Sequence, residues 1–130
     1  MSIATLRPDG WPQVTTVGYA NVGLTLYFLC GRDSQKAANL ARDDRVSLAI
    51  DDDPPQVMEI AALSMAAHAQ PVADRAEAEQ AMRLLIARYP VQTTGPTPSV
   101  DDVSIFRVTP TVVSVIDYRK GFGHADLVAC

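Results

Sequence analysis

About six short segments with the alternation and β-branched content of strands, two helical patterns, and turn residues between them predict a mainly β protein with α: a six-stranded antiparallel barrel with flanking helices. Strands and helices do not alternate regularly, which argues against a parallel doubly wound sheet. At 130 residues the chain reads as a single domain, 1–130, able to bury roughly two-thirds of its unfolded surface.

Ser2–Arg7 alternates and ends in Arg7-Pro8-Asp9-Gly10, where proline pre-sets one turn angle and glycine is free to take positive φ. Gln13–Ala20 is the second strand, with Gln13, Thr15, Val17 and Tyr19 on one face and Val14, Thr16, Gly18 and Ala20 on the other. Asn21-Val22-Gly23 forms the next turn and Leu24–Cys30 the third strand, which makes an antiparallel meander. A short helix follows, with Asp33 or Ser34 as its N-cap. Arg45–Asp51 is the fourth strand and Val57–Val72 a long strand that bends or bulges. Asp74-Arg-Ala-Glu77 is a capping-box pattern opening a helix to about Tyr89, with Ala78, Met82, Leu85 and Ile86 on its apolar face and Pro90 ending it. Val91–Ser99 reads as a loop. Val103–Val108 and Val112–Tyr118 read as two strands separated by Thr109-Pro110-Thr111, with a mobile tail after them.

The chain is 48% hydrophobic and 20% charged with net charge −4 and no basic run, so general nucleic-acid binding is not expected. Two cysteines, Cys30 in an apolar strand and Cys130 at the end, make no disulfide framework and suit a reducing, cytoplasmic setting. The start lacks the pattern of a signal peptide, and no apolar run approaches the ~20 residues of a membrane helix.

Nucleophile triads, zinc spacings, a Rossmann fingerprint and a Walker loop are all missing. Asp51-Asp52-Asp53-Pro54-Pro55 reads as a solvated turn rather than a metal site, because hard cations need spaced oxygen ligands. His68 reads as a strand-face residue, and His124, between glycines and Asp126, as the better candidate for a ring or substrate contact. The informative stretch is Gly31–Asp43. Lys36 falls in the first turn of its helix, where the dipole prefers a carboxylate. Either that lysine points into water, or Ser34, Lys36 and the free N–H groups of the helix start hold an anion such as a phosphate.

Ala4-Thr-Leu-Arg-Pro-Asp-Gly-Trp-Pro-Gln-Val-Thr-Thr-Val17, Leu26-Tyr-Phe-Leu-Cys-Gly-Arg-Asp-Ser-Gln-Lys-Ala-Ala-Asn-Leu40 and Asp44-Arg-Val-Ser-Leu48 together resemble the pyridoxamine 5′-phosphate oxidase-like family of FMN-binding split barrels. The resemblance is clearest over the first fifty residues and continues more loosely beyond them. It implies a six-stranded split barrel, a homodimer with FMN at the subunit interface, and a flavin-dependent oxidoreductase with a small-molecule substrate or electron donor. Carried over by position, Gln13, Val14, Thr15, Thr16 and Val17 face the flavin ring. Ser34, Gln35 and Lys36 bind its phosphate, and Leu29 and Cys30 line the ribityl chain and phosphate. Ser64 and Met65 approach from the partner. Tyr118, Lys120 and His124 are candidates for substrate contact. Related split barrels use a deazaflavin, and the same fold can hold flavin or haem without catalysis, as a carrier or sensor; for haem, His68 or His124 would be the imidazole ligand.

Three departures accompany the resemblance. Gln35 stands where the family has a second cation, which implies either weaker phosphate binding or a contribution from Arg32. The family's helix before the first strand has no counterpart. The segment Asp117-Tyr-Arg-Lys-Gly-Phe-Gly-His124 does not match the Arg-and-His motif of the true oxidases, so oxidation of vitamin B6 is not expected.

Overall fold

The structure is a computed structural model that describes residues 1–90 and 99–130. Ser2–Leu6 (β1) and Pro12–Thr16 (β2) form a hairpin whose turn ends at Gly10 with φ 87°, the positive value that an Asp-Gly turn calls for. The second strand is shorter than the alternation suggests. It stops at Thr16, and Ala20–Val22 (β3) pairs instead with Thr25–Gly31 (β4), so the expected three-strand meander is two separate hairpins. Asn21 and Val22 remain in the strand because the turn is the two-residue Gly23-Leu24, with Gly23 at φ 58° and Asn21 Nδ2 donating to the Gly23 carbonyl at 3.0 Å.

Gln35–Arg42 (α1) follows, then Arg45–Asp51 (β5) as expected. The apolar run from Val57 begins as a turn of 3-10 helix, Val57–Glu59, before Ala61–Pro71 (β6). Arg75–Arg88 (α2) matches the capping pattern, with Asp74 accepting from the Glu77 N–H at 3.1 Å. The segment expected as a loop lies mostly outside the described residues.

Two expectations near the C-terminus change. Val103–Asp117 (β7) is one fifteen-residue strand that runs through Pro110. Ala66 faces Val112 and Ala67 faces Pro110, so Thr111 is an extra residue, and its hydroxyl donates to the Ala66 carbonyl at 3.1 Å. A bulge is where a strand tolerates a proline without an N–H. The residues after Arg119 are not a free tail: Ala125–Ala129 (β8) pairs with Val112–Ile116. Eight strand segments therefore replace the expected six.

The sheet order is β2-β1-β5-β6-β7-β4-β3, with β8 also on β7, and every pair is antiparallel. The inward face carries Ile3, Phe28, Ala69 and Val108, all without solvent exposure, and the Phe28 and Phe106 rings stack at 5.3 Å. A second apolar cluster joins α2, through Ala78, Ala81 and Met82, to Tyr27 and Ile105.

Candidate functional site

The sheet is curled but leaves a seam. β2 pairs only with β1, so its other edge is open along its whole length. β3 covers β4 only from Thr25 to Tyr27, which leaves Phe28–Gly31 with one open edge as well. Residues 17–19 tie these two edges at one end, and α1, which leaves directly from β4, ties them at the other. Of the residues expected at the flavin site, those of β2, β4 and α1 lie along this seam, whereas Ser64 and Met65, on β6 in the middle of the sheet, do not.

At the start of α1, Ser34 is the N-cap. Its Oγ accepts from the Ala37 N–H at 3.1 Å, and its carbonyl accepts from Ala38 at 3.1 Å. The N–H groups of Gln35 and Lys36 are left without an acceptor among the described residues, as the geometry of a helix start requires. The first turn holds no acid, and Lys36 makes no ion pair among the described residues. Ser34 and Arg32 share a cavity of about 480 Å³ with Ala37, Pro71, Ser104 and Phe106. Lys36 is not in its lining.

Sequence reasoning missed Asn39. This side chain has no solvent exposure and joins the two halves of the site. Its Nδ2 donates to Thr5 Oγ1 at 3.0 Å and to Gln13 Oε1 at 3.3 Å, while its Oδ1 accepts from Gln35 Nε2 at 2.8 Å. Gln35, in the place of a cation, is thus held by a buried amide, and Gln13 keeps its own amide nitrogen free to donate. The only sequence signal was a polar residue at a buried helical position.

Along β2, Gln13 and Thr15 are half-buried, whereas Val14 and Thr16 are exposed; Val17 follows the strand and is half-buried against the core. Thr15 Oγ1 is buried and has no hydrogen-bond partner among the described residues. Leu29 packs beneath α2 and Cys30 lies in the main core, so each offers the seam its backbone. Ser64 stands on the exposed face of β6, and Met65 points into the core at 5% exposure.

Tyr118, Lys120 and His124 come together in the β7–β8 connection. Lys120 Nζ and His124 Nε2 reach Asp126 at 3.8 and 3.1 Å, and the Tyr118 ring lies 5.4 Å from Phe122. They are not near α1 in one chain: β5 runs from the α1 end to the β7–β8 end, roughly 20 Å at strand rise. His68 has a different setting. Its Nδ1 is 2.8 Å from Asp44 Oδ1, a bond that holds the Asp44 carboxyl below its ordinary range, and its other ring nitrogen is left over. His68 lines a groove of about 340 Å³ with Leu6, Ser47, Ala66 and Thr111.

Thr15's unpartnered hydroxyl, the two open amides of α1 and an unpaired lysine suit a ligand with both a polar ring system and a phosphate. Among the described residues no group of His, Cys, Asp and Glu has the makings of a metal site, and no helix is long and apolar enough to cross a membrane.

Comparison with known proteins bears on the family and the fold. No curated protein matches the chain. A conserved hypothetical protein from Mycobacterium tuberculosis superposes with a TM-score of 0.79 at 27% identity, over 98% of this chain and 83% of that one. A protein named F420 reductase gives 0.69 at 29% identity, over 87% and 86%. A haem-binding protein from Mycobacterium smegmatis gives 0.75 at 21% identity, over 98% of this chain; this chain spans 51% of that protein's length. The sequence profile described as pyridoxamine 5′-phosphate oxidase matches residues 1–117. The chain belongs to the pyridoxamine 5′-phosphate oxidase-like family.

Proposed function

We propose that this protein is a cytoplasmic, homodimeric, FMN-dependent oxidoreductase whose cofactor lies along the seam between β2 and β4. The observation that carries the reading is the α1 start: two open N–H groups, the Ser34 cap and an unpaired Lys36 beside the open edge of β4. A phosphate dianion there turns the unfavourable lysine–dipole contact into a favourable three-body arrangement. Arg32, which makes no ion pair among the described residues, adds positive charge beside Ser34. The Gln13 amide and the Thr15 hydroxyl supply donors for the polar edge of a flavin. When bound, FMN supplies reversible hydride and electron transfer; the protein supplies position, donors and exclusion of water.

The dimer has separate support. On the outer sheet face, one row across six strands reads Thr16, Ser2, Ala49, Ser64, Ser114 and Leu127. The next reads Val14, Ala4, Ser47, Ala66, Val112 and Ala129. Neither row holds a charge, and Val14 and Leu127 are 66% and 75% exposed. Two uncharged rows across six strands suit a second copy of the chain. Two free thiols, Cys30 and Cys130, fit a reducing compartment.

A deazaflavin is the second reading, favoured by the neighbour named F420 reductase. Haem is a third; His68, with Nδ1 on Asp44 and its other nitrogen free, is better placed to ligate iron than His124, whose Nε2 is on Asp126. The visible spectrum of the purified protein, followed by FMN titration, separates them. FMN quenching with saturation, weakened about tenfold or more by Lys36→Ala, is the expected result. A colourless protein that leaves FMN fluorescence unquenched overturns the reading.

A further inference from the structure

A cavity of about 690 Å³ opens at the barrel end away from α1. Its floor is the inward row Ile50, Leu63 and Val115, left uncovered where the sheet runs out, and this volume suits a small organic molecule. Arg88, in the last turn of α2, stands in the wall. Its guanidinium carbon lies 4.2 Å from the centroid of the Tyr19 ring, and its Nε donates to Tyr89 Oη at 3.2 Å. Tyr89 Oη also accepts the Tyr19 N–H at 3.2 Å, so the two tyrosines hold each other and the arginine together. The Tyr89 ring packs closely on Gly18, where a Cβ would stand 3.0 Å from Tyr89 Cε2 and push the ring back by a few tenths of an ångström.

This arginine is fixed but not neutralised. Arg45, Arg75, Arg107 and Arg119 all have carboxylate partners. Arg88 has none among the described residues, although Asp51 and Asp52 belong to the same cavity and Asp117 there is taken by Arg119. Its positioning groups are neutral aromatics, which leave the outer nitrogens of the guanidinium free for a planar two-oxygen anion. We infer that this cavity is a binding site for a small monocarboxylate with an apolar or aromatic body, gripped by Arg88 on its Tyr19–Tyr89 mount. The apolar part lies over Ile50, Leu63 and Val115, and Asp51 and Asp52 discourage a second acidic group.

The inference is independent of the cofactor. It is tested with benzoate against its neutral isostere benzamide, by isothermal titration and amide chemical shifts on the protein as purified. Benzoate is expected to bind about tenfold or more tightly than benzamide, moving the signals of Tyr19, Leu63 and Val115. Arg88→Met is expected to lower benzoate to the benzamide level with an unchanged melting curve, since Arg88 lies at an exposed helix end. Lys36→Ala is expected to leave benzoate binding as it was. Equal affinity for the two probes, no binding at millimolar concentration, wild-type affinity in Arg88→Met, or loss of binding in Lys36→Ala overturns it.

Discussion

Asn39 reaches β1, β2 and the first turn of its own helix from a site without solvent exposure. Replacing it by alanine removes three hydrogen bonds and leaves Thr5, itself 1% exposed, without its partner. Asn39→Ala is therefore expected to cost about 2–4 kcal/mol in urea unfolding. Lys36→Ala, at a partly exposed position with no ion pair among the described residues, is expected to stay within about 0.5 kcal/mol. The two residues are three apart in sequence and have opposite legibility. Lys36 stands out because its charge conflicts with the helix dipole, a conflict visible in one dimension. Asn39 looks like any surface residue of a short helix, because its partners come from strands 26 and 34 residues away.

At the scale of the element, α2 is fastened to the sheet by one carboxylate. Glu77 Oε2 accepts from Tyr27 Oη and Arg107 Nε, both at 2.8 Å, and Arg107 also reaches Oε1. The capping-box pattern marks the helix start, but the Glu77 side chain, which such a box turns back on its own helix, reaches β4 and β7 instead. Arg107, with Tyr27 second, lowers the Glu77 pKa from 4.5 to about 2. A depressed folded-state value means stability is fully present above the unfolded pKa and is lost as pH falls from about 4.5 towards 2. With Glu77 only 21% exposed, its share is about 1–3 kcal/mol. Acid unfolding followed by circular dichroism checks this: Glu77→Gln is expected to be less stable at neutral pH and to lose this part of the acid slope. Other elements were less legible for plain reasons. Pro110 broke one strand into two on paper because a missing N–H normally ends a strand. β8 is exposed throughout and gives no core signal.

For the whole molecule, the two uncharged rows on the outer sheet face are the feature on which assembly turns. Ala66→Glu, in the middle of that face and exposed in one chain, is expected to shift the protein from dimer to monomer in light scattering while leaving the circular dichroism spectrum unchanged. A wild-type protein that is monomeric at micromolar concentration would overturn the dimer. The barrel class could be read from segment count and alternation alone. The seam could not, because alternation runs unbroken from Gln13 to Ala20 while the pairing partner changes midway. That change of partner has a mechanical meaning. The gap at the seam is spanned by residues 17–19 at one end and by α1 at the other, not by hydrogen bonds between neighbouring strands. A change in the gap therefore acts on the Met1–Val17, Tyr19–Tyr89 and Asn39–Gln13 bonds and not on any strand pair, so the width of the gap and the pairing of the sheet depend on different contacts.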